Sequence, residues 1–179
     1  MIDFETAEQI AIKHINADCV LVEEATLEKP YGWYFYGQTK TFLKTKDFRD
    51  ALVGSGGFLV ERDGGRIVEF GSAYPLETWI KNYEKGFKYQ WYDLTILRVF
   101  DQKTTAKMLV DLGMWYAIPE WEHGVERRIS KQYTVTEIEN LLLKLPCTFM
   151  HQAFWHRVKI FDNIDEVKCC EYVLTESIA

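Results

Sequence analysis

The chain has 179 residues and a formal net charge of −6 at pH 7, and aromatic residues make up 15% of it. This length suits one large domain or two small ones. No cluster of Lys and Arg provides the positive surface that nucleic-acid binding requires, so a nucleic-acid partner is not expected. The negative charge favours a basic partner, although it is also common in soluble domains that bind nothing basic.

The sequence predicts a cytoplasmic protein. No apolar run approaches the roughly 20 residues needed to span a bilayer, so we expect no membrane association. Residues 1–5 are acidic and lead directly into an amphipathic pattern, unlike a signal peptide or a transit peptide. The four Cys residues are therefore expected to be reduced rather than paired in disulfides.

The first predicted element is a helix. Ala7, Ile10 and Ala11 begin an apolar face at helical spacing, and Thr6 with Gln9 fits a capping box at its start. We therefore expect the helix to begin near Thr6 and to bury this face.

Two strands are predicted next, over residues 19–25 and over the aromatic run 32–36. We expect them to pair with each other in antiparallel fashion. The glycine-rich segment 54–57 is predicted to be a turn, because no Lys-Ser or Lys-Thr follows it as a phosphate loop would require.

Asp63, Gly64 and Gly65 separate two apolar runs, residues 58–62 and 66–70. This is a strong hairpin signal, because glycine accepts the positive φ angles of a tight turn. A helix is then predicted from Pro75 to Gly86, where the first unit is expected to close.

The second half predicts another mixture of strands and helices. Thr134 and Glu137 fit a capping box for a helix over residues 135–145. The other predicted elements are a strand (89–100), a helix (101–112), a loose stretch (113–126), a strand (127–133) and two final strands (148–161 and 166–174), with Asn163 and Asp165 as turn residues between the last two.

Several features of the first half, taken in order, resemble a known family. They are the amphipathic helix, Gly32-Trp33 with the following aromatics, the segment 47–52, the Gly56-Gly57 turn, the Asp63-Gly64 hairpin and the helix from Pro75. Together they resemble the YrhB-like domain of the immunity protein 35 family. The resemblance implies a small bacterial protein that is encoded beside a polymorphic toxin and neutralises it by binding. It is confined to about residues 1–86, and it carries over no functional residues.

Cys147, His151 and His156 are the nearest approach to a catalytic or metal-binding group. Catalysis would require a thiolate beside an imidazole, and a metal would require three converging ligands. In a regular strand Cys147 and His151 would share a face while His156 would lie on the other. We therefore expect ordinary strand residues and assign no catalytic residue, no cofactor and no metal site.

A surface for a protein partner is predicted in the second half. Trp115, Tyr116, Glu120, Trp121 and Glu122 combine aromatic and acidic side chains, as interface hot spots do, and could form an exposed recognition loop. The alternative is that Trp115 and Trp121 are core residues at the edge of the second unit.

The sequence therefore predicts an α+β protein: antiparallel strands with a helix at each end of a first unit (residues 1–86), followed by a second α+β unit (87–179) packed against it. The predicted function is that of an immunity protein, not an enzyme. It is expected to bind and occlude a cognate protein toxin whose own surface is basic. One alternative is a small enzyme or ligand-binding domain that uses Cys147 and His151. Another is a chaperone-like protein, a role to which YrhB-like proteins have been linked.

Overall fold

The structure is a computed structural model that describes residues 1–123 and 125–178. The chain forms two compact units, Met1–Lys88 and Tyr89–Ala179, which are described separately. Both units combine helices with antiparallel sheets, which confirms the predicted α+β class.

The first unit combines three helices with six strands. Its elements are α1 (Phe4–His14), β1 (Cys19–Leu21), β2 (Leu27–Lys29), β3 (Gly32–Phe35), β4 (Gly37–Thr39), α2 (Lys40–Thr45), β5 (Ser55–Glu61), β6 (Ile67–Gly71) and α3 (Leu76–Glu84). Single 3₁₀ turns lie at Glu23–Ala25 and Phe48–Asp50. Four strands form an antiparallel sheet in the order β2-β3-β5-β6, and β1 forms a separate pair with β4.

Helix α1 packs on one face of this sheet. Ala7 and Ala11 are fully buried against Trp33 and Phe35 of β3, because small helix residues let the helix approach the large rings closely. The opposite face of the sheet is also covered, since Phe70 stacks between Tyr34 and Trp79, with ring centroids 6.1 and 5.8 Å away. The aromatic strand is therefore buried on both faces.

The predicted start of α1 and the predicted strand pairing are wrong. The helix begins at Phe4 because the Asp3 carboxylate accepts a hydrogen bond from the Thr6 amide and caps it, so Thr6 lies inside the helix. Strand β3 pairs with β2 and β5, whereas β1 pairs with β4. A tight turn that sets Lys29 opposite Gly32 gives β3 its neighbour locally.

The segment 54–57 is not simply a turn. Ser55 already pairs with Gly71, and the register of β5 against β6 shifts between Ser55 and Phe58. Gly57 has a φ of 79° at this bulge, a backbone conformation that glycine accepts readily. The hairpin around Asp63-Gly64-Gly65 is confirmed by the pairing of β5 with β6.

The second unit also combines helices and strands. Its elements are β7 (Tyr92–Val99), α4 (Gln102–Asp111), β8 (Trp115–Glu122), β9 (Val125–Gln132), α5 (Val135–Leu141), β10 (Cys147–Gln152), α6 (Val158–Val167) and β11 (Cys170–Glu176). Three strands form an antiparallel sheet in the order β10-β7-β11, and β8 and β9 form a separate hairpin. The capping box of Thr134 and Glu137 is confirmed at the start of α5.

Helix α6 was not predicted, and it occupies the place of a predicted strand end and turn. Val158, Phe161 and Ile164 are its buried residues, at spacings of three that put them on one face. Phe161 packs edge-on against Phe154 at 5.0 Å and against Tyr172 of β11 at 5.4 Å. Asn163 and Asp165, predicted as turn residues, lie inside this helix.

Candidate functional site

The hairpin of β8 and β9 is the most exposed regular element of the second unit. Its ladder runs from the pair Trp115 and Gln132 to the pair Glu122 and Val125. All eight residues of β9 are exposed, as are those of β8 beyond Tyr116. A two-stranded hairpin with both faces in water is marginally stable by itself, so its root must hold it in place.

The two faces of the hairpin carry different side chains, because successive residues of a strand point to opposite faces. One face holds Ile118 opposite Ile129 and Glu120 opposite Arg127. Trp121 lies on the other face and is 70% exposed. An indole so exposed at the end of a projecting hairpin is available for contact with another molecule.

Charge is divided between the two strands. Glu120 and Glu122 lie on β8, and β9 carries Arg127, Arg128 and Lys131 against Glu126 alone. The Arg127 guanidinium Nη1 and the Glu122 carboxylate Oε2 are 2.6 Å apart, which links the strands near their tip. The acidic segment predicted from the sequence thus lies beside a basic strand.

Gln152 fixes the root of β8. Its Nε2 donates to the carbonyl oxygen of Trp115 at 2.9 Å, and its Oε1 accepts from the Trp115 amide at 3.0 Å. The Gln152 side chain is only 1% exposed, so these bonds are shielded from competing water. The last residue of β10 therefore holds the first residue of the hairpin.

A second contact joins the hairpin to α5. The Tyr116 hydroxyl donates to the Glu137 carboxylate at 3.2 Å, and Lys131 Nζ lies 3.4 Å from the same oxygen. The pKa of Glu137 is lowered to about 2, first by hydrogen bonds from Thr134 and further by Lys131 and Tyr116. The helix cap and the hairpin thus share one ionised carboxylate.

An aromatic cluster lies beside this root. The His151 ring stacks on Trp91 with centroids 4.3 Å apart, and Trp115 meets the His151 ring edge-on at 6.4 Å. His151 has a φ of 54° inside an irregular part of β10, and its amide donates to the Asp93 carboxylate at 2.8 Å. This backbone conformation is unfavourable for a side chain with a Cβ, so surrounding contacts must hold it.

The predicted partner-contact residues all fall on β8. The structure brings Trp115 and Tyr116 to the root, where both are half-buried, and places Glu120, Trp121 and Glu122 in solvent. The expectation of a loop is wrong, because these residues form a strand. The alternative of a core role is wrong for Trp121.

The strand predicted over residues 127–133 corresponds to β9, which begins two residues earlier, at Val125. Sequence reasoning missed its pairing with β8 and the anchor Gln152. Residues 125–131 alternate apolar and basic side chains at Val125, Arg127, Ile129 and Lys131, which is a strand signal with a period of two. The stretch 113–126, predicted to be loose, contains β8, and Pro119 lies within it although proline usually argues against a strand. No local signal identifies Gln152, since its role depends on a contact across 37 residues.

The alternative site of Cys147 and His151 is not formed. Cys147 pairs with Ile96 in the regular part of β10, and the bulge that follows places His151 beside Asp93 and Trp91 instead. Burial raises the pKa of the Cys147 thiol, which reduces the thiolate needed for nucleophilic attack. His156 follows the end of β10 rather than lying on a strand.

Within residues 1–123 and 125–178, no group of three or more His, Cys, Asp or Glu side chains could hold a metal ion. None of the helices in the same ranges has the length and apolar character of a membrane span.

Residues 6–82 match the model of the family described as Immunity protein 35, which confirms the resemblance of the first unit. The matched region ends before the β8–β9 hairpin begins. Among individual proteins, the uncharacterized protein YrhB of Escherichia coli (strain K12) is 40% identical over 53 residues. That alignment covers 30% of this chain and 56% of YrhB, so the chain spans about half the length of this relative. No solved structure matches the chain.

Proposed function

We propose that this protein is an immunity protein that binds a cognate bacterial protein toxin and neutralises it by occlusion, without chemistry of its own. The match of residues 6–82 to the Immunity protein 35 family is the observation that carries this proposal. A net charge of −6 favours capture of a toxin with a basic surface, because opposite charges accelerate encounter.

We assign the toxin contact to the β8–β9 hairpin. Trp121 supplies a large exposed ring at low entropy cost, and Glu120 and Glu122 add exposed charge on the opposite face of the same strand. The hydrogen bonds of Gln152 and the ion pair of Glu137 hold the hairpin before the toxin arrives, which limits the ordering cost of binding.

The test is co-expression with the toxin encoded beside this gene. We expect the protein to restore growth of toxin-producing cells and to co-purify with the toxin as a stable complex. Absence of both rescue and complex would reject the proposal. A double variant, Cys147→Ala with His151→Ala, tests the enzymatic alternative, because it should leave protection intact if binding alone is responsible.

A chaperone-like role gives a different result in the same cells. A chaperone would protect unrelated aggregating proteins as well as the toxin, whereas an immunity protein acts on one partner. Aggregation of a heat-denatured unrelated enzyme, measured by light scattering with and without the protein, separates these outcomes.

A further inference from the structure

The hairpin has two outer edges, and the hydrogen-bond pattern shows which backbone groups face each one. The Tyr133 amide donates to the Met114 carbonyl at 3.0 Å, so this pair is hydrogen-bonded across the hairpin. Hydrogen-bonded and non-hydrogen-bonded pairs alternate along an antiparallel ladder. The pairs Ala117 with Ser130 and Pro119 with Arg128 are therefore not hydrogen-bonded across the hairpin. The backbone groups of these four residues face outward instead.

The outer edge of β8 is closed to a further strand. At its root, Gln152 already occupies both outward groups of Trp115. At its middle, Pro119 has no N–H to offer, and proline at such a position commonly protects a strand edge. Two of the outward positions of β8 are therefore unable to bind a neighbouring strand.

The outer edge of β9 is open. Glu126, Arg128, Ser130 and Gln132 direct their backbone groups outward by the same alternation. Throughout 1–123 and 125–178, β8 is the sole strand paired with β9. A row of unpaired donors and acceptors with this spacing is a template for another extended chain.

The side chains of β9 select the charge of that chain. Arg127 and Lys131 flank Ile129 on one face, while Arg128 lies on the other and forms no ion pair with the described residues. A second copy is disfavoured in two registers, because antiparallel self-pairing centred on Arg128 sets that residue opposite itself and self-pairing centred on Ile129 sets Arg127 opposite Lys131. Carboxylates on the incoming strand would instead lie beside Arg128, and near Arg127 and Lys131, which already pair with Glu122 and Glu137.

We propose that β9 accepts an extended acidic segment of the partner protein as a third strand of the hairpin. This inference rests on the proposed function in one respect: the partner that supplies the segment is the toxin. A toxin with a positive net charge is compatible with this proposal. Its net charge governs the rate of encounter, whereas the charge of the docking segment governs the contact with β9. Main-chain hydrogen bonds provide the affinity, and the cations of β9 provide the selection.

The first probe is a capped synthetic peptide of four Glu-Thr repeats, titrated into the isotopically labelled full chain and followed by NMR. We expect the amide signals of Arg128 and Ser130 to shift on binding and to become protected from hydrogen exchange. A peptide of four Lys-Thr repeats is the charge control and should bind at least tenfold more weakly. Failure of the Glu-Thr peptide to bind, or equal binding of both peptides, overturns the inference.

A matched pair of proline variants tests the edge itself. Ser130→Pro removes an outward N–H from β9, and Ala117→Pro removes one from β8 at the directly opposite position. Neither change removes a hydrogen bond between the two strands. We expect Ser130→Pro to weaken peptide binding at least tenfold and Ala117→Pro to leave it within twofold. Equal effects of the two variants overturn the inference.

Charge reversal provides a second variant that keeps the backbone N–H. Arg128→Glu should weaken binding of the Glu-Thr peptide and strengthen binding of the Lys-Thr peptide. If the variant still prefers the Glu-Thr peptide to the same degree, β9 does not select the charge of the incoming strand.

Co-purification with the toxin separates this inference from the proposed function. If the toxin binds Ser130→Pro as tightly as the unaltered protein, the edge inference fails and the immunity function stands. If the peptide binds as expected but the toxin is not neutralised, the proposed function fails and the strand-accepting edge stands.

Discussion

The Gln152 side chain forms two hydrogen bonds with the backbone of Trp115, one to its N–H and one to its C=O. In effect, an amide side chain takes the place that a neighbouring strand would occupy at the start of β8. The arrangement fixes the position of a hairpin that otherwise stands in solvent on both faces.

Replacing Gln152 by Leu should destabilise the second unit by about 2 kcal/mol, because the change buries two backbone groups of Trp115 without partners. Urea unfolding followed through amide signals of the second unit measures the effect. Gln132→Leu is the control, since Gln132 pairs with Trp115 across the ladder but is exposed. Equal stability of the Gln152 variant and the unaltered protein would contradict the anchoring role.

Replacing Trp121 by Ala should reduce toxin affinity by at least about thirtyfold, the loss typical of an interface hot spot. The free energy of unfolding of this variant should differ from that of the unaltered protein by no more than about 0.5 kcal/mol, because the Trp121 ring is mostly in solvent. Calorimetric titration with the toxin gives the affinity. Phe48→Ala, which truncates an 84% exposed aromatic outside the hairpin, is the matched control. A loss confined to the Phe48 variant would place the interface in the first unit.

The Glu137 carboxylate makes the stability of the hairpin root depend on pH. Its folded pKa of about 2 lies below the ordinary value of 4.5, so its ionised form favours the folded state. The stabilisation is complete above pH 4.5 and is lost as pH falls through about 2. Glu137→Gln should therefore lower the urea midpoint at pH 7, and its difference from the unaltered protein should shrink toward pH 2.

Glu139→Gln makes the same charge change in α5 away from the cap. A midpoint difference for the Glu137 variant that is constant from pH 7 to pH 2 would exclude an ionised Glu137 as the cause. An equal loss in both variants would show that helix charge, rather than this network, is responsible.

Two glycines of the first unit should respond differently to Ala. Gly57 and Gly64 both have positive φ, 79° and 77°. A Cβ at Gly57 would overlap the Tyr34 hydroxyl and would lie 2.6 Å from the Phe35 carbonyl oxygen, whereas a Cβ at Gly64 would meet nothing within 4 Å. Gly64→Ala should cost about 1 kcal/mol for the backbone alone, and Gly57→Ala about 3 kcal/mol or more because overlap adds to it. Thermal or urea unfolding gives both values, and equal losses would contradict this account of the bulge.

Features of the fold that have a local physical cause could be predicted from the sequence. The turn at Asp63-Gly64-Gly65 needs residues that accept positive φ, and the capping box of Thr134 and Glu137 needs only neighbours in the same helix turn. The α+β class and the family resemblance of the first half follow from such local patterns in order along the chain.

Prediction from local patterns failed where contacts between residues distant in sequence determine the structure. The local pattern of residues 158–167 predicts strand and turn, but the packing of Phe161 between Phe154 and Tyr172 favours a helix. Residues 113–126 were expected to be loose, but they contain β8, in which Pro119 occupies a position of the ladder where no N–H is required.

The tertiary structure alone decided which edge of the hairpin is open. That outcome depends on Gln152 reaching back across 37 residues to bind Trp115, and on an alternation of hydrogen bonds whose phase is set by the Met114 and Tyr133 pair. The same holds for His151, because the register of β10 shifts between Phe149 and Gln152 and His151 contacts Asp93 and Trp91 there. Composition supplied the exposed aromatic and charged residues, and long-range hydrogen bonds decided how they are presented.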